Sequence, residues 1–306
     1  MLGDSVNFKR LLIILASLGG LVTCTSSEAT ENGLTAYPVG VNTVLDGVLP
    51  VPGDTRFYNY TAYYVANTFQ GPSGKIAIPE FRTSAFVDAP RIVHTWNQML
   101  GPFTLSSGTV ATVVHLTVDA AGASGRRTAL GDLTLQPVEL GYANPSHTFF
   151  AYFASDVSLP TGAYSSSRVA NPGLNIYAWE PALGTTWLPN PQWEISTFSV
   201  FEVHSPDKAT HYHSGSVAIF DYLAGYSVTP QYQIGIQGYL LKQFTDDTAN
   251  GAVVADGFKG QAIAIGPQLR VNLTKSSAIV FKYQQEFAVR NRAKGEKLWV
   301  EISCPL

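Results

Sequence analysis

Apolar and polar residues alternate with a period of two along much of this chain, and the runs are long. From Gln231 to Gln243, one face carries Tyr232, Ile234, Ile236, Gly238 and Leu240. The opposite face carries Gln231, Gln233, Gln237, Tyr239, Leu241 and Gln243. From Ser277 to Arg290, Ile279, Phe281, Tyr283, Phe287 and Val289 oppose Lys282, Gln284, Glu286 and Arg290, with Gln285 as the exception. From Ala262 to Leu273, Ile263, Ile265, Leu269 and Val271 oppose Gln268, Arg270 and Asn272. A period of two is the signature of a β-strand with one apolar face. Globular strands average about 5 or 6 residues, whereas a tilted membrane strand needs about 9 to 11. The length of these runs therefore points to a transmembrane wall.

Composition agrees. Hydrophobic residues make up 45% of the 306, but charged residues only 13%, against about 25% in soluble domains. A wall that faces lipid explains the missing charge. The 15 Tyr and 16 Phe suit side chains placed where a wall meets the membrane interface. The formal charge is −3 with no basic patch, which argues against a nucleic-acid partner.

The N-terminus reads as an export signal. Lys9 and Arg10 precede a 12-residue apolar run, Leu11 to Val22. As a helix it would span about 18 Å, too short for a ~30 Å hydrocarbon core. Ser27-Glu28-Ala29 supplies a small-x-small cleavage pattern, so residues 1–29 are expected to be a signal peptide. The competing reading acylates Cys24 after Leu21-Val22-Thr23. If Cys24 is removed, Cys304 has no partner, so no disulfide framework follows.

The alternation divides into strands at 55–67, 82–98, 103–119, 127–142, 147–157, 169–180, 192–205, 209–227, 230–245, 258–273, 277–291 and 296–306. The expected fold is all-β, an antiparallel transmembrane β-barrel of about 12 strands over residues 55–306, an even number as single-chain bacterial barrels require. Residues 30–54 contain Pro38, Pro50, Pro52 and four glycines. They read as an irregular leader, lying in the periplasm or folding into the lumen as a partial plug.

Several motifs carry a family resemblance. They begin with Glu31-Asn32-Gly33-Leu34 and Gly47-Val48-Leu49-Pro50-Val51-Pro52-Gly53, then Gly131-Asp132-Leu133. Leu159-Pro160-Thr161-Gly162 and Asn171-Pro172-Gly173-Leu174-Asn175 follow, and then Thr210-His211-Tyr212-His213-Ser214-Gly215, Gln243-Phe244-Thr245-Asp246-Asp247 and Ile265-Gly266-Pro267. In this order the chain resembles the meta-pathway phenol-degradation-like outer-membrane proteins. The resemblance implies an outer-membrane barrel associated with the consumption of aromatic compounds. The chain departs from barrels of this kind at its end, Ser303-Cys304-Pro305-Leu306, where an aromatic residue is usual.

The candidate site is the polar face of the last strands: Gln231, Gln233, Gln237, Gln243, Gln268, Arg270, Lys282, Gln284, Glu286 and Arg290. In a barrel these side chains line the lumen and set what passes, or they pack into a network that closes it. His211 and His213 flank Tyr212 in a stretch expected to be extended, with His204 nearby; such a pair can bind zinc or copper. No third ligand follows, and no metal is assigned. Asp246-Asp247 reads as a turn, with loop-bound calcium as the rival. Gly-x-Ser-x-Gly, phosphate-loop, dinucleotide and His-Glu-x-x-His motifs are absent from the sequence, so the expectation is no enzyme and no cofactor. A Ser-His pair near a barrel rim is the surviving enzymatic alternative.

The function expected is a passive channel for small apolar or aromatic compounds; the solute comes only from the resemblance. The partners expected are outer-membrane lipid, that solute and the barrel-assembly machinery. The alternatives are a closed structural or surface-interaction barrel and a secreted β-protein that binds an apolar ligand.

Overall fold

The computed structural model describes residues 33–306. The expected signal peptide, with Cys24 and its cleavage site, lies outside the described residues.

Twelve antiparallel strands close into one barrel. They are β1 (Thr55–Gln70), β2 (Arg82–Leu100), β3 (Phe103–Val110 and Val113–Ala120) and β4 (Ala123–Leu130 and Leu133–Ala143). Next come β5 (Phe149–Leu159), β6 (Ala178–Trp187), β7 (Trp193–His204) and β8 (Val217–Ser227). β9 (Tyr232–Gln243), β10 (Gln261–Asn272), β11 (Ala278–Arg290) and β12 (Arg292–Pro305) complete the wall. Each strand pairs with the next, and β12 pairs with β1 from Arg56↔Pro305 to Gln70↔Arg292. The Leu306 amide still donates to the Thr55 carbonyl, at 3.0 Å. Closure thus runs to the last residue without a terminal aromatic. It leaves no unpaired edge in lipid, where an unsatisfied peptide group is costly.

One end of the barrel has short connections, such as residues 101–102 and 228–231. The other has all the long ones, 71–81, 160–177, 205–216 and 244–260, beside two tight turns at 121–122 and 291. Outer-membrane barrels put short turns in the periplasm and long loops outside, which orients the molecule with Thr55 at the periplasmic end.

The strand alternation sets which side chains face lipid. Phe153, Leu183, Phe201, Phe220, Leu240 and Phe281 are exposed on the outer wall. Trp96, Phe149, Trp187, Trp193, Tyr226 and Tyr232 are exposed near the periplasmic turns, an aromatic girdle of the kind barrels place at an interface. Other aromatics point inward, Tyr152, Phe198, Tyr239 and Trp299 among them.

Two expected strands shift. Residues 169–177 belong to a loop and β6 begins at Ala178. Asn171 folds back to bond the Ser165 and Arg168 carbonyls, and Asn175 takes a positive φ of 60°, which ends extended chain. Likewise β8 begins at Val217 rather than 209, because His211 has a φ of 58°.

The leader runs through the barrel. Gly33 sits at the loop end, where a Cβ would lie 2.7 Å from the Asn291 carbonyl. Gly53 reaches the periplasmic end and donates to the Thr95 carbonyl at 2.8 Å. Residues 33–54 pass among the inward-facing side chains of the wall.

Candidate functional site

The interior is built around the leader, which has no regular secondary structure between residues 33 and 54. Its peptide groups therefore need partners from the wall. Acids on β7 and β8 take its N–H groups. Glu202 accepts from Ala36 at 2.8 Å and Tyr37 at 3.0 Å. Asp221 accepts from Gly40 at 3.0 Å, Asn42 at 3.3 Å and the Tyr37 hydroxyl at 2.7 Å. Glu194 accepts from Leu45 at 2.7 Å.

Cations and amides on β11 and β12 take the leader's carbonyls. Lys282 Nζ donates to Gly40 and Val41 at 3.0 and 2.7 Å. Gln284 Nε2 donates to Gly40 at 3.0 Å, and Lys297 Nζ donates to Val39 at 2.7 Å. The segment is held by its backbone polarity, acids on one side and donors on the other. Charge-assisted bonds of this kind are about twice as strong as neutral ones.

Further ion pairs knit the wall together. Arg91 Nη2 bonds Glu139 at 2.6 Å, and Arg91 Nε bonds Gln136, which passes on to Asp156 at 2.7 Å. Arg270 meets Glu194 at 3.2 Å, and Lys282 pairs with Glu301. Buried charges need such partners because their desolvation is expensive.

Two cavities flank the leader. One, about 250 Å³, lies toward the loop end, with Val87, Asp156, Leu174, Glu180 and Phe198 on its lining. The other, about 150 Å³, opens toward the periplasmic turns past Arg56, Asn272 and Lys275. Val41, Asn42, Tyr60 and Arg91 line both. These four residues form the partition between an upper and a lower chamber.

Eight of the ten residues singled out from the sequence have inward side chains. Gln233 donates to Glu194 at 2.9 Å, Gln237 donates to the Tyr283 carbonyl at 2.9 Å, and Gln268 accepts from Thr43 at 2.9 Å. Glu286 accepts from Tyr239, and from Tyr64 at 3.0 Å. Gln243 lies at the loop end and donates to Asp247 at 2.6 Å. Arg270, Lys282 and Gln284 make the contacts given above. The other two depart from expectation. Gln231 is exposed in the β8–β9 turn. Arg290 is also exposed, because a bulge at Ala288 (φ 51°) reverses the alternation and turns Val289 inward instead. An extra residue in one strand reverses every side chain beyond it.

The acids Glu194, Glu202 and Asp221, together with Arg91, were missed. For Glu194 and Glu202 the signal was present in the alternation of β7, where Glu194, Ser196, Phe198, Val200, Glu202 and His204 all fall on one face.

Two carboxylates organise the extracellular loops. Asp132 accepts from the Gly162 and Leu174 amides, both at 2.7 Å. Gly162 is packed so closely on Gly131 and Gly173 that a Cβ would lie 2.6 Å from the Gly131 carbonyl carbon. Asp247 accepts from the Tyr212 hydroxyl, the Gly215 amide at 2.7 Å and Gln243. Burial raises the Asp247 carboxyl above its ordinary value, and these donors oppose the rise. Five of the eight motifs that carried the resemblance thus meet as two loop anchors.

His211 and His213 do not form a shared face. His211 is exposed with a positive φ, and His213 Nε2 lies 3.0 Å from the His204 carbonyl. Asp246 pairs with Lys259 at 2.7 Å. Among the described residues, no group of three or more His, Cys, Asp or Glu side chains is arranged to hold a metal ion.

A closed wall with a lipid-facing band, an aromatic girdle and a charged interior defines a transmembrane β-barrel of the outer-membrane type. Within that class, the chain belongs to the family described as "Putative MetA-pathway of phenol degradation", which matches residues 66–302. Among solved structures, it is similar to the COG4313 outer membrane channel from Pseudomonas putida F1. That likeness has a TM-score of 0.77 and 16% identity, over 87% of this chain and 100% of that one. It is also similar to the transport unit of the autotransporter AIDA-I from Escherichia coli, with a TM-score of 0.50 and 8% identity, over 84% of this chain and 92% of that one. Both likenesses concern the fold. No curated protein matches the chain.

Proposed function

We propose that this barrel is a passive outer-membrane channel for small apolar or aromatic compounds, with the leader as its partial plug. The observation that carries the reading is the pair of chambers on either side of Val41 and Asn42. A segment bonded to the wall through its backbone can shift as a unit and join them. The aromatic solute rests on family membership, and the mixed apolar and polar lining suits it.

Residues 1–29 would export the chain as a cleaved signal peptide, and the barrel-assembly machinery would insert it. The test is uptake of toluene and phenol across the lipopolysaccharide outer membrane of whole cells carrying the full-length protein, beside a variant lacking residues 34–48. Uptake by the full-length protein above that of cells without it, rising several-fold in the variant, supports the reading. Uptake no faster than in cells without the protein, with and without the leader, sinks it.

The density of bonds to the leader favours a second reading, a permanently closed structural barrel. Electrically silent bilayers, in which the shortened variant conducts but the full chain never does, would select it.

A further inference from the structure

The acids that grip the leader have their work accounted for, and so has Glu139, which holds Arg91. Two others do not. Asp156 on β5 and Glu180 on β6 are direct partners in the strand register, which places their Cβ atoms ~4.5–5.5 Å apart. Both side chains are inside the barrel, 7% and 4% exposed. Like charges facing each other across a strand pair oppose folding, so packing alone gives no reason for the arrangement.

Each acid also keeps an unused oxygen. Asp156 spends Oδ2 on Gln136, but its Oδ1 has no hydrogen-bond partner. Glu180 Oε1 has none either. Buried polar groups without partners are rare and call for a reason. Both residues line the upper chamber. Arg91, the one cation among the described residues that line it, is already held by Glu139 and Gln136.

The rest of that chamber defines the shape of an occupant. Phe198, Val87 and Leu174 supply apolar wall, and Phe198 itself stacks on Tyr37 at 5.9 Å between ring centroids. Its volume, about 250 Å³, exceeds the ~150 Å³ of an apolar cavity that takes up benzene. Two carboxyls without a third ligand do not make a metal site. An N–H cation with a compact apolar body satisfies both halves: its charge goes to the two carboxyls and its body to the apolar wall.

We propose that Asp156 and Glu180 form a subsite for small organic ammonium ions with an apolar or aromatic body. The subsite itself needs only the chamber; that its occupant crosses the membrane rests on the channel reading above.

The probes are benzylammonium and its neutral near-isostere benzyl alcohol, titrated by calorimetry into the full-length mature protein in detergent. Benzylammonium is expected to bind about ten-fold or more tightly than the alcohol, as charge-assisted bonds require. Glu180→Gln should bring the two to within about two-fold of each other. Asp156→Asn should narrow the gap and keeps the test valid if the first variant does not fold, which its heat-dependent gel shift reports. Equal binding of the two probes overturns the subsite, and so does a preference that survives both substitutions. Uptake across the outer membrane of whole cells is measured separately, against cells without the protein. A binding preference without passage leaves the subsite standing and counts against the channel; passage of the alcohol with no preference does the reverse.

Discussion

Asp221 and Lys282 hold the same residue from two sides. The Gly40 amide donates to Asp221 at 3.0 Å, while Lys282 donates to the Gly40 carbonyl, also at 3.0 Å. Asp221 stands on β8 and Lys282 on β11, so the leader ties together parts of the wall that share no strand pairing. Lys282→Met should loosen that tie. It leaves a buried carbonyl and Glu301 without their donor, and breaking a buried charge pair costs about 3–5 kcal/mol. The expected outcome is higher single-channel conductance with a lower unfolding temperature on heated gels. Unchanged conductance at lowered stability would separate the tie from gating.

Gly40 itself should resist replacement. Its φ is 85°, and a Cβ would lie 2.5 Å from the Gln284 amide and 2.7 Å from the Tyr239 ring. Strain of about 1–2 kcal/mol follows from the backbone alone. Gly40→Ala is expected to displace the leader, making the peptide bonds near residue 40 cleavable by an added protease that spares the wild type.

The partition gives a prediction about size. Val41 and Asn42 separate the two chambers. Asn42→Gly should raise toluene uptake across the outer membrane of whole cells several-fold, whereas Val41→Trp should reduce it. Equal rates in both variants and the wild type would place the barrier elsewhere.

The outer wall predicts a membrane-specific cost. Leu183, 47% exposed at the middle of β6, faces lipid. Leu183→Arg should cost about 2–4 kcal/mol in folding into bilayers, measured by guanidinium titration in vesicles. A soluble β-protein would tolerate an arginine at such an exposed site almost without cost.

The loop anchors should fail locally. Asp247→Ala removes the acceptor for Tyr212, Gly215 and Gln243. Loops 205–216 and 244–260 should become accessible to protease while the heat-dependent gel shift of the barrel persists. Loss of the whole barrel would show that the anchor is needed earlier, during assembly.

The wall was legible because its chemistry is local. Residues such as Gln233 and Ile234 alternate with a period that any reader of the sequence can follow, and all twelve barrel strands have a counterpart in it. The leader's path was not legible. Its glycines and prolines have no period, and its partners lie some 140 to 260 residues away, as Leu45 with Glu194 or Val39 with Lys297 do. Arg290 was misplaced because the bulge at Ala288 depends on pairing with β10, which no single-strand pattern contains. Glu202 and Asp221 were visible as inward-facing acids, but their role depends on a segment far upstream. Glu180 illustrates the same limit, since its register partner Asp156 is set by how β5 and β6 align.

The leader makes this a barrel crossed thirteen times and walled by twelve strands. Strand number alone would allow a bore between filled and open, but one crossing occupies that bore. An odd number of crossings also puts Gly33 at the outer mouth and Leu306 at the inner one. A pull between these two residues is therefore a pull along the barrel axis, straight through the Gly40 grip.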